Sequence, residues 1–555
     1  VKKFWLSAVA MVATLLCAFE ASAADRKPVA VFTLAGYDAL MSDIDYIGEV
    51  LSNPQAKAES LEAMLKLFTG GLGLDGVDKT KPWGVAVMTD GNDFRPLVMV
   101  PVKNLDDLLA AAKGFVGEPK DEGDGIRSIQ VPNGPNPVFK EANGFVFFGE
   151  KADDLADLPA DPLALMGTLP KEYDIGVRGF MQNVPEQYRK EIVSLLRAGM
   201  EQSLEKRDEE DENAFELRKK TVESMMKDIE TAVDELESIT IGLTIDSTAK
   251  VAYLDISATA KPGSKTAKQA AALNGVKSDF AGFITPDVGV AVNTASVLSP
   301  EDIQMLSGLL ASFGDKVKQE INKDGNLPAD KMGQAKEIID DLISVADKTI
   351  QTGKLDGAGT VAMAEKSVNG AFGVAVADGP AVEAIIKKVI EFAKDDLPEV
   401  KLNAESHKGV AFHKISIPLP DEKLKDVFGD ALPVTVGIGP KSVYLGFGEE
   451  GDSMIKSSID ASASAGPTAV APLAINSSLT PIVAFANSIE PDQIGEMIKK
   501  SLSESGGKDH IIFTYKGIPN GTQLRFQVDE GVIRLINVGV NAFTGGGFGG
   551  RPPGF

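Results

Sequence analysis

The stretch Asp287-Val288-Gly289-Val290-Ala291-Val292-Asn293, followed by Ser299-Pro300-Glu301-Asp302 and a helix-periodic run, constrains the fold more than any other part of the chain. Alternation along a strand puts Val288, Val290 and Val292 on one face. Gly289 and Ala291 fall on the other, where a neighbour can approach closely. Ser299 is placed to cap a helix, Pro300 suits its first turn, and Asp302 sits near the positive end of its dipole. A near-copy lies upstream at Asp174-Ile175-Gly176-Val177, then Pro185-Glu186 and another amphipathic run. Looser copies open the chain at Val29 to Phe32, with a helix from Tyr37, and the last quarter at Ile482 to Asn487, then Pro491-Asp492. The sequence therefore predicts a strand-then-helix unit used four times.

The units alternate in size, and repeats arise where one unit cannot bury its own apolar face. The expected fold is α+β: two tandem duplicated lobes, each a largely antiparallel sheet with helices packed on it. Residues 25–277 form lobe 1, a long unit 25–160 and a short unit 168–277. Residues 278–545 form lobe 2, a long unit 278–460 and a short unit 475–545. Asp90-Gly91-Asn92-Asp93 and Asn369-Gly370 read as hairpin turns. Pro159-Ala160-Asp161-Pro162 and the Ala/Ser/Pro-rich run Ala461 to Ser478 read as linkers, and Asn104 as a helix cap. The glycine-rich tail 546–555 is expected to be disordered. The openings Leu169-Pro170 and Thr285-Pro286, each leading into Asp-apolar-Gly-Val and then Pro-Glu or Pro-Glu-Asp plus a helix, resemble large exported bacterial proteins of unknown function. That resemblance implies export and a repeated α+β fold, and it carries no catalytic residue.

The N-terminus has the form of a secretion signal over residues 1–23. Lys2 and Lys3 precede an apolar segment from Phe4 to Leu16 and the small-residue site Ala21-Ser22-Ala23. Cleavage there would remove Cys17, the sole cysteine, so stability must come from core burial rather than disulfides. No later segment is apolar for long enough to cross a membrane. The net charge of −24 repels nucleic acid and anionic headgroups, which argues against nucleic-acid binding. An exported protein, periplasmic or at the cell surface, is the expectation; the sequence says nothing about oligomeric state.

Chemistry-bearing residues are sparse. The chain has three histidines. Glu405 and His407 share a strand face if Lys408-Gly409 is a hairpin turn, and with His413 they are the candidate metal ligands, although no spacing fixes the set. His510 reads as structural. The acidic run Asp208 to Glu212 lacks the loop geometry of a calcium site. There is no G-x-S-x-G elbow, H-E-x-x-H pair or P-loop, and Gly357-Ala358-Gly359 precedes a strand rather than opening a helix. No catalytic residue and no cofactor is therefore assigned. The leading expectation is a non-enzymatic binding or scaffold protein of the cell envelope. The alternative is a carrier of an apolar ligand or lipid held between sheet and helices, and the third reading is a carboxylate-dependent hydrolase.

Overall fold

The structure, a computed structural model, describes residues 26–53, 57–113, 116–131, 136–201, 212–323, 328–394, 397 and 399–544. The expected signal peptide and glycine-rich tail lie outside these residues. The described chain is α+β, built on antiparallel sheet with 16 helices. It divides into two compact units, residues 1–192 with 233–261, and residues 193–232 with 262–555.

Unit 1 opens with β1 (Lys27–Leu34), α1 (Tyr37–Val50) and α2 (Ala58–Phe68). The hairpin β2 (Trp83–Thr89) and β3 (Phe94–Pro101) follows, then α3 (Leu105–Ala112). Four short strands come next: β4 (Lys120–Gly123), β5 (Ile126–Ser128), β6 (Val138–Ala142) and β7 (Phe145–Gly149). Two short helices, α4 (Pro162–Met166) and α5 (Leu169–Glu172), lead into β8 (Ile175–Phe180). The rhythm then restarts with α6 (Glu186–Glu201) and α7 (Glu212–Glu235), of which residues 193–232 belong to unit 2, and the hairpin β9 (Leu236–Asp246) and β10 (Val251–Ala260), which belongs to unit 1. All pairings are antiparallel, and the order is β10–β9–β8–β1–β2–β3–β7–β6–β5–β4.

Unit 2 begins with α8 (Lys265–Ala272), β11 (Lys277–Ser278) and β12 (Gly289–Val297), which carries the Asp287 motif. The long helices α9 (Pro300–Lys323) and α10 (Ala329–Gln351) pack on each other and precede β13 (Lys354–Ala364), β14 (Ser367–Ala375) and α11 (Gly379–Phe392). Next come β15 (Glu399–His407), β16 (Val410–Pro418), α12 (Glu422–Phe428), β17 (Ala431–Ile438) and β18 (Ser442–Phe447). The chain continues through α13 (Gly451–Ala465), β19 (Thr468–Ala469), β20 (Leu473–Ser478), α14 (Leu479–Ile489) and α15 (Gln493–Ser503). It ends with β21 (His510–Ile518), β22 (Gly521–Asp529) and α16 (Glu530–Thr544). β11 and β19 pair separately. The main order is β22–β21–β20–β12–β13–β14–β18–β17–β16–β15, again antiparallel throughout. The two orders correspond strand for strand, and β1, β8, β12 and β20 are each followed by two helices and a hairpin.

Local chemistry explains the motif. Ser299 and Asp302 form a reciprocal cap: the Asp302 backbone N–H donates to Ser299 Oγ at 3.1 Å, and the Ser299 N–H donates to Asp302 Oδ2 at 3.0 Å. Gly289 has φ +142°, and a Cβ there would stand 2.3 Å from the Val361 carbonyl oxygen. Glycine is required on both counts.

Several expectations are corrected. Asn369 and Gly370 are not a turn but lie within β14, opposite Ala362 and Val361. Asn369 Oδ1 accepts the Glu450 N–H at 2.9 Å, and a Cβ on Gly370 would meet the Phe447 ring at 2.2 Å. The turn falls instead at Glu365-Lys366, where Lys366 has φ 53°. Pro159–Pro162 is not a linker, because Asp161 caps α4 through the N–H groups of Leu163 and Ala164. Most of the supposed linker Ala461–Ser478 is likewise ordered: α13 runs to Ala465, Ser462 Oγ accepts the Gly282 N–H at 2.9 Å, and β20 occupies 473–478. Ile482–Asn487 belongs to α14, with Pro481 in its first turn, so the fourth opening strand lies one element earlier, at β20. The last crossing between the compact units falls at 261/262, and α8 packs on β21 and β22.

Candidate apolar binding faces

In each unit the sheet buries several glycine and polar side chains along with large apolar ones, and leaves other large apolar side chains half-exposed. In unit 1 one cross-strand row reads Asp255–Gly242–Gly176–Thr33–Gly84–Met99. Every member of it is buried. The glycines give the reason: Tyr173 lies on Gly242, Leu169 on Gly176 and Met166 on Gly84, each closer than a Cβ would allow or at its limit. Bulk for this core comes from Met166, Leu169 and Tyr173 of α4, α5 and the segment after them, together with Leu97, Met99, Phe145 and Phe147 of the strands. Unit 2 repeats the arrangement. Asn293, Asp356, Thr360 and Asn369 are buried, Thr360 Oγ1 donates to the Phe283 carbonyl at 2.6 Å, and Phe280, Phe283, Phe412 and Ile455 fill the core.

The opposite parity carries rows made almost wholly of apolar residues, half-exposed apart from buried members such as Phe139 and Gly359. In unit 1 a single row crosses nine strands as Ile256–Ile241–Val177–Phe32–Val85–Val98–Phe148–Phe139–Arg127. The row of unit 2, taken in the same strand order, is Phe526–Phe513–Ile475–Val292–Gly359–Phe372–Leu445–Val436–His413. Ile241 is 44% exposed, Ile256 41%, Leu445 43% and Phe526 43%. Isolated exposed apolar side chains are ordinary, but contiguous rows of them mark an interaction surface. Helices α6 and α9 carry exposed apolar residues of their own, Leu195 and Leu196 on the first, Leu309 and Phe313 on the second.

The unit 2 row ends on His413 in β16, whereas in unit 1 Arg127 of β5 is followed by Asp121 of β4, directly opposite it. Arg127 of β5 lines a groove of about 780 Å³ with Lys113, Leu109, Val116, Asp106 and Asp121. Among the described residues Arg127 has no ion-pair partner. His413 of β16 is fully buried; its Nδ1 accepts the Asn403 N–H at 3.2 Å, and its Nε2 is buried with no hydrogen-bond partner. Burial holds the imidazole below its usual range, against a weaker opposite pull from Glu383 of α11. With Nδ1 accepting, Nε2 carries the hydrogen of the neutral ring.

The three candidate metal ligands do not converge. Lys408-Gly409 does turn β15 into β16, with φ 49° and 80°. Glu405 lies opposite Phe412, so His413 points to the other face of the sheet. Glu405 is held by Lys414 and Lys456, each 2.7 Å away, and their hydrogen bonds bring its carboxyl down to about 2. His407 Nε2 is 2.8 Å from Asp460. His510 is buried among Asp287, 2.8 Å from Nε2, and Asp509 and Asp529, 3.3 and 3.2 Å from Nδ1. This gives Asp287 a partner the sequence did not reveal.

A carboxylate pair stands apart from these. Burial, and then the nearby Asp174, push the Asp43 carboxyl up to about 7, and its Oδ2 is buried with no hydrogen bond. Burial also raises Asp174, against the Ile245 N–H that donates to it at 2.7 Å. A folded-state value above the unfolded one means the native state holds the extra proton between roughly pH 4 and 7, so stability falls as pH rises through that window. Asp43→Asn is therefore expected to raise the thermal midpoint by a few degrees at pH 8. Scanning calorimetry should show the gain shrinking steadily toward pH 5.

Comparison of the chain with protein-family models, with curated proteins and with solved structures finds no match in any of the three.

Proposed function

We propose that this is an exported binding protein that carries long-chain apolar ligands on the open faces of its two sheets. One observation carries the reading: each sheet keeps a cross-strand row of isoleucine, valine, leucine and phenylalanine half in water over much of its length, on the face opposite buried glycine, threonine, asparagine or aspartate. A sheet evolved only for stability would be arranged the other way round, since burying apolar area is worth about 25 cal/mol per Å². The net charge of −24 keeps such a molecule dispersed in water. Export rests on the N-terminal signal pattern, and duplication of a two-part lobe is our account of the matching strand orders. Native mass spectrometry of protein purified from its source tests the reading. The proposal expects a mass excess that disappears on organic extraction; coincident masses before and after would count decisively against it.

A hydrolase is favoured only by the Asp43–Asp174 pair, in which burial raises both carboxyls, Asp43 to about 7. Ester turnover abolished by Asp43→Asn would establish that reading in place of the carrier.

A further inference from the structure

Resting on the reading that residues 1–23 are a secretion signal, we infer that a signal peptidase can cut the bond between Ala23 and Ala24 only until β1 is built into unit 1, so that folding closes the processing site. The described chain is held from its first residue onward. Arg26 Nη1 lies 2.9 Å from Asp154 Oδ1, with the two side chains 17% and 3% exposed. Asp154 is gripped in turn by Arg95 at 2.6 Å, and Arg95 by Asp93 at 3.0 Å. Lys27 pairs with Thr89, and the Pro28 carbonyl accepts the Asn183 side-chain amide at 2.7 Å. Val29 and Val31 are buried, and from Ala30 onward β1 is paired on both sides, with β2 and with β8. An N-terminal segment tied down as a strand in this way does not fray as a free terminus does. Nor can β1 peel off as an edge strand would, because it alone joins β8 to β2 within the sheet of unit 1. Only Ala24 and Asp25 separate the scissile bond from Arg26, roughly 7 Å of extended chain. A protease takes its substrate as an extended strand and bonds to its main chain, and the residues it would need beyond the bond are those held by Asp154, Thr89 and Asn183. Cutting the folded chain must then pass through an opened state and scale with its small population. The step itself is hydrolysis: water adds to the Ala23 carbonyl, the C–N bond breaks, Ala23 keeps a carboxylate and Ala24 becomes the new α-amine.

The experiment gives the full 555-residue chain, in detergent, to a purified bacterial signal peptidase and follows release of residues 1–23 by mass spectrometry. Wild type is compared with a variant carrying a Gly-Ser spacer of six residues between Asp25 and Arg26, which adds roughly 20 Å of reach. Each protein meets the peptidase in two states, at the moment of dilution from urea and after refolding, with circular dichroism recorded on both. At dilution the two should be cut at the same rate. After refolding the spacer variant should still be cut, and wild type at least 100-fold more slowly. If the insertion spoils folding, wild type alone decides, through the same 100-fold fall between dilution and the refolded state. Refolded wild type cut as fast as at dilution would overturn the inference and leave the secretion signal standing. A refolded spacer variant cut no faster than wild type would also overturn it, since the hold on Arg26 would not be what closes the site. Neither protein cut even at dilution would remove the reading of residues 1–23 as a signal, and this inference with it.

Discussion

Ile475→Asp is expected to cut binding of a fluorescent polyene fatty acid to unit 2 by at least 100-fold while the protein stays folded. Ile475 lies mid-row, between Val292 and Phe513, and is 38% exposed. An aspartate there keeps its carboxylate in water, so its cost to the fold is a matter of strand propensity, about 1 kcal/mol or less. An alkyl chain laid along the row must strip that water away, and burying an unpaired carboxylate costs several kcal/mol. Each 1.4 kcal/mol is tenfold in affinity, so about 3 kcal/mol already accounts for 100-fold. Fluorescence titration with circular dichroism on the same samples separates the two terms. If instead Ile475→Asp unfolds the protein, the face is a core whose cover was missed. If it binds as wild type does, the face is not the site.

The largest stability loss is expected from Arg95→Met. Arg95 is 3% exposed and bridges two buried carboxylates, Asp154 at 2.6 Å and Asp93 at 3.0 Å; Arg26 adds a second contact to Asp154 at 2.9 Å. Asp154 in turn accepts the N–H groups of Glu150 and Lys151, which fixes the turn after β7. Methionine fills much of the volume but leaves Asp93 without its cation, and removing one partner of a buried pair costs about 3–5 kcal/mol. The pH dependence has a definite sign. Burial alone would raise the Asp154 carboxyl, but hydrogen bonds from Arg95 and Arg26 more than offset it and hold it below its usual range. A depressed folded-state value gives stability that is present above the unfolded pKa and lost as pH falls through the folded one. Urea unfolding should therefore show the gap between wild type and Arg95→Met widest at neutral pH and narrowing in acid. A gap below 1 kcal/mol at pH 7 would mean the network is solvated.

Much of this architecture is legible in the sequence because it is local. The Ser299-Pro300-Glu301-Asp302 cap, the Asp90–Asp93 turn and the Asn104 cap depend on a few neighbouring residues, and each forms as the residues suggest. Asn369-Gly370 misleads because its chemistry is tertiary. The glycine is required by the Phe447 ring of β18, and the asparagine serves the backbone of Glu450, over 80 positions away. The Ala/Ser run at 461–465 misleads for the same reason, since its small residues let a helix lie close to Gly282. The half-exposed rows escape sequence reading because the expectation is that the larger residues of an alternating strand face inward. The signal was present in Val288-Gly289-Val290-Ala291-Val292-Asn293, where the small parity includes an asparagine. Only pairing with Gly359 and Ile475 shows that the valines belong to the open side.

The central claim, that the open sheet faces are where ligand lies, is tested most directly by photolabelling the delipidated protein with a fatty acid bearing a diazirine along its chain, then mapping adducts by peptide sequencing. The account predicts labels on the rows themselves, at Val177, Ile241, Leu445, Ile475 and Phe526, and their loss when unlabelled stearate competes. Labels that spread over the outer helices, or that persist under competition, would contradict it.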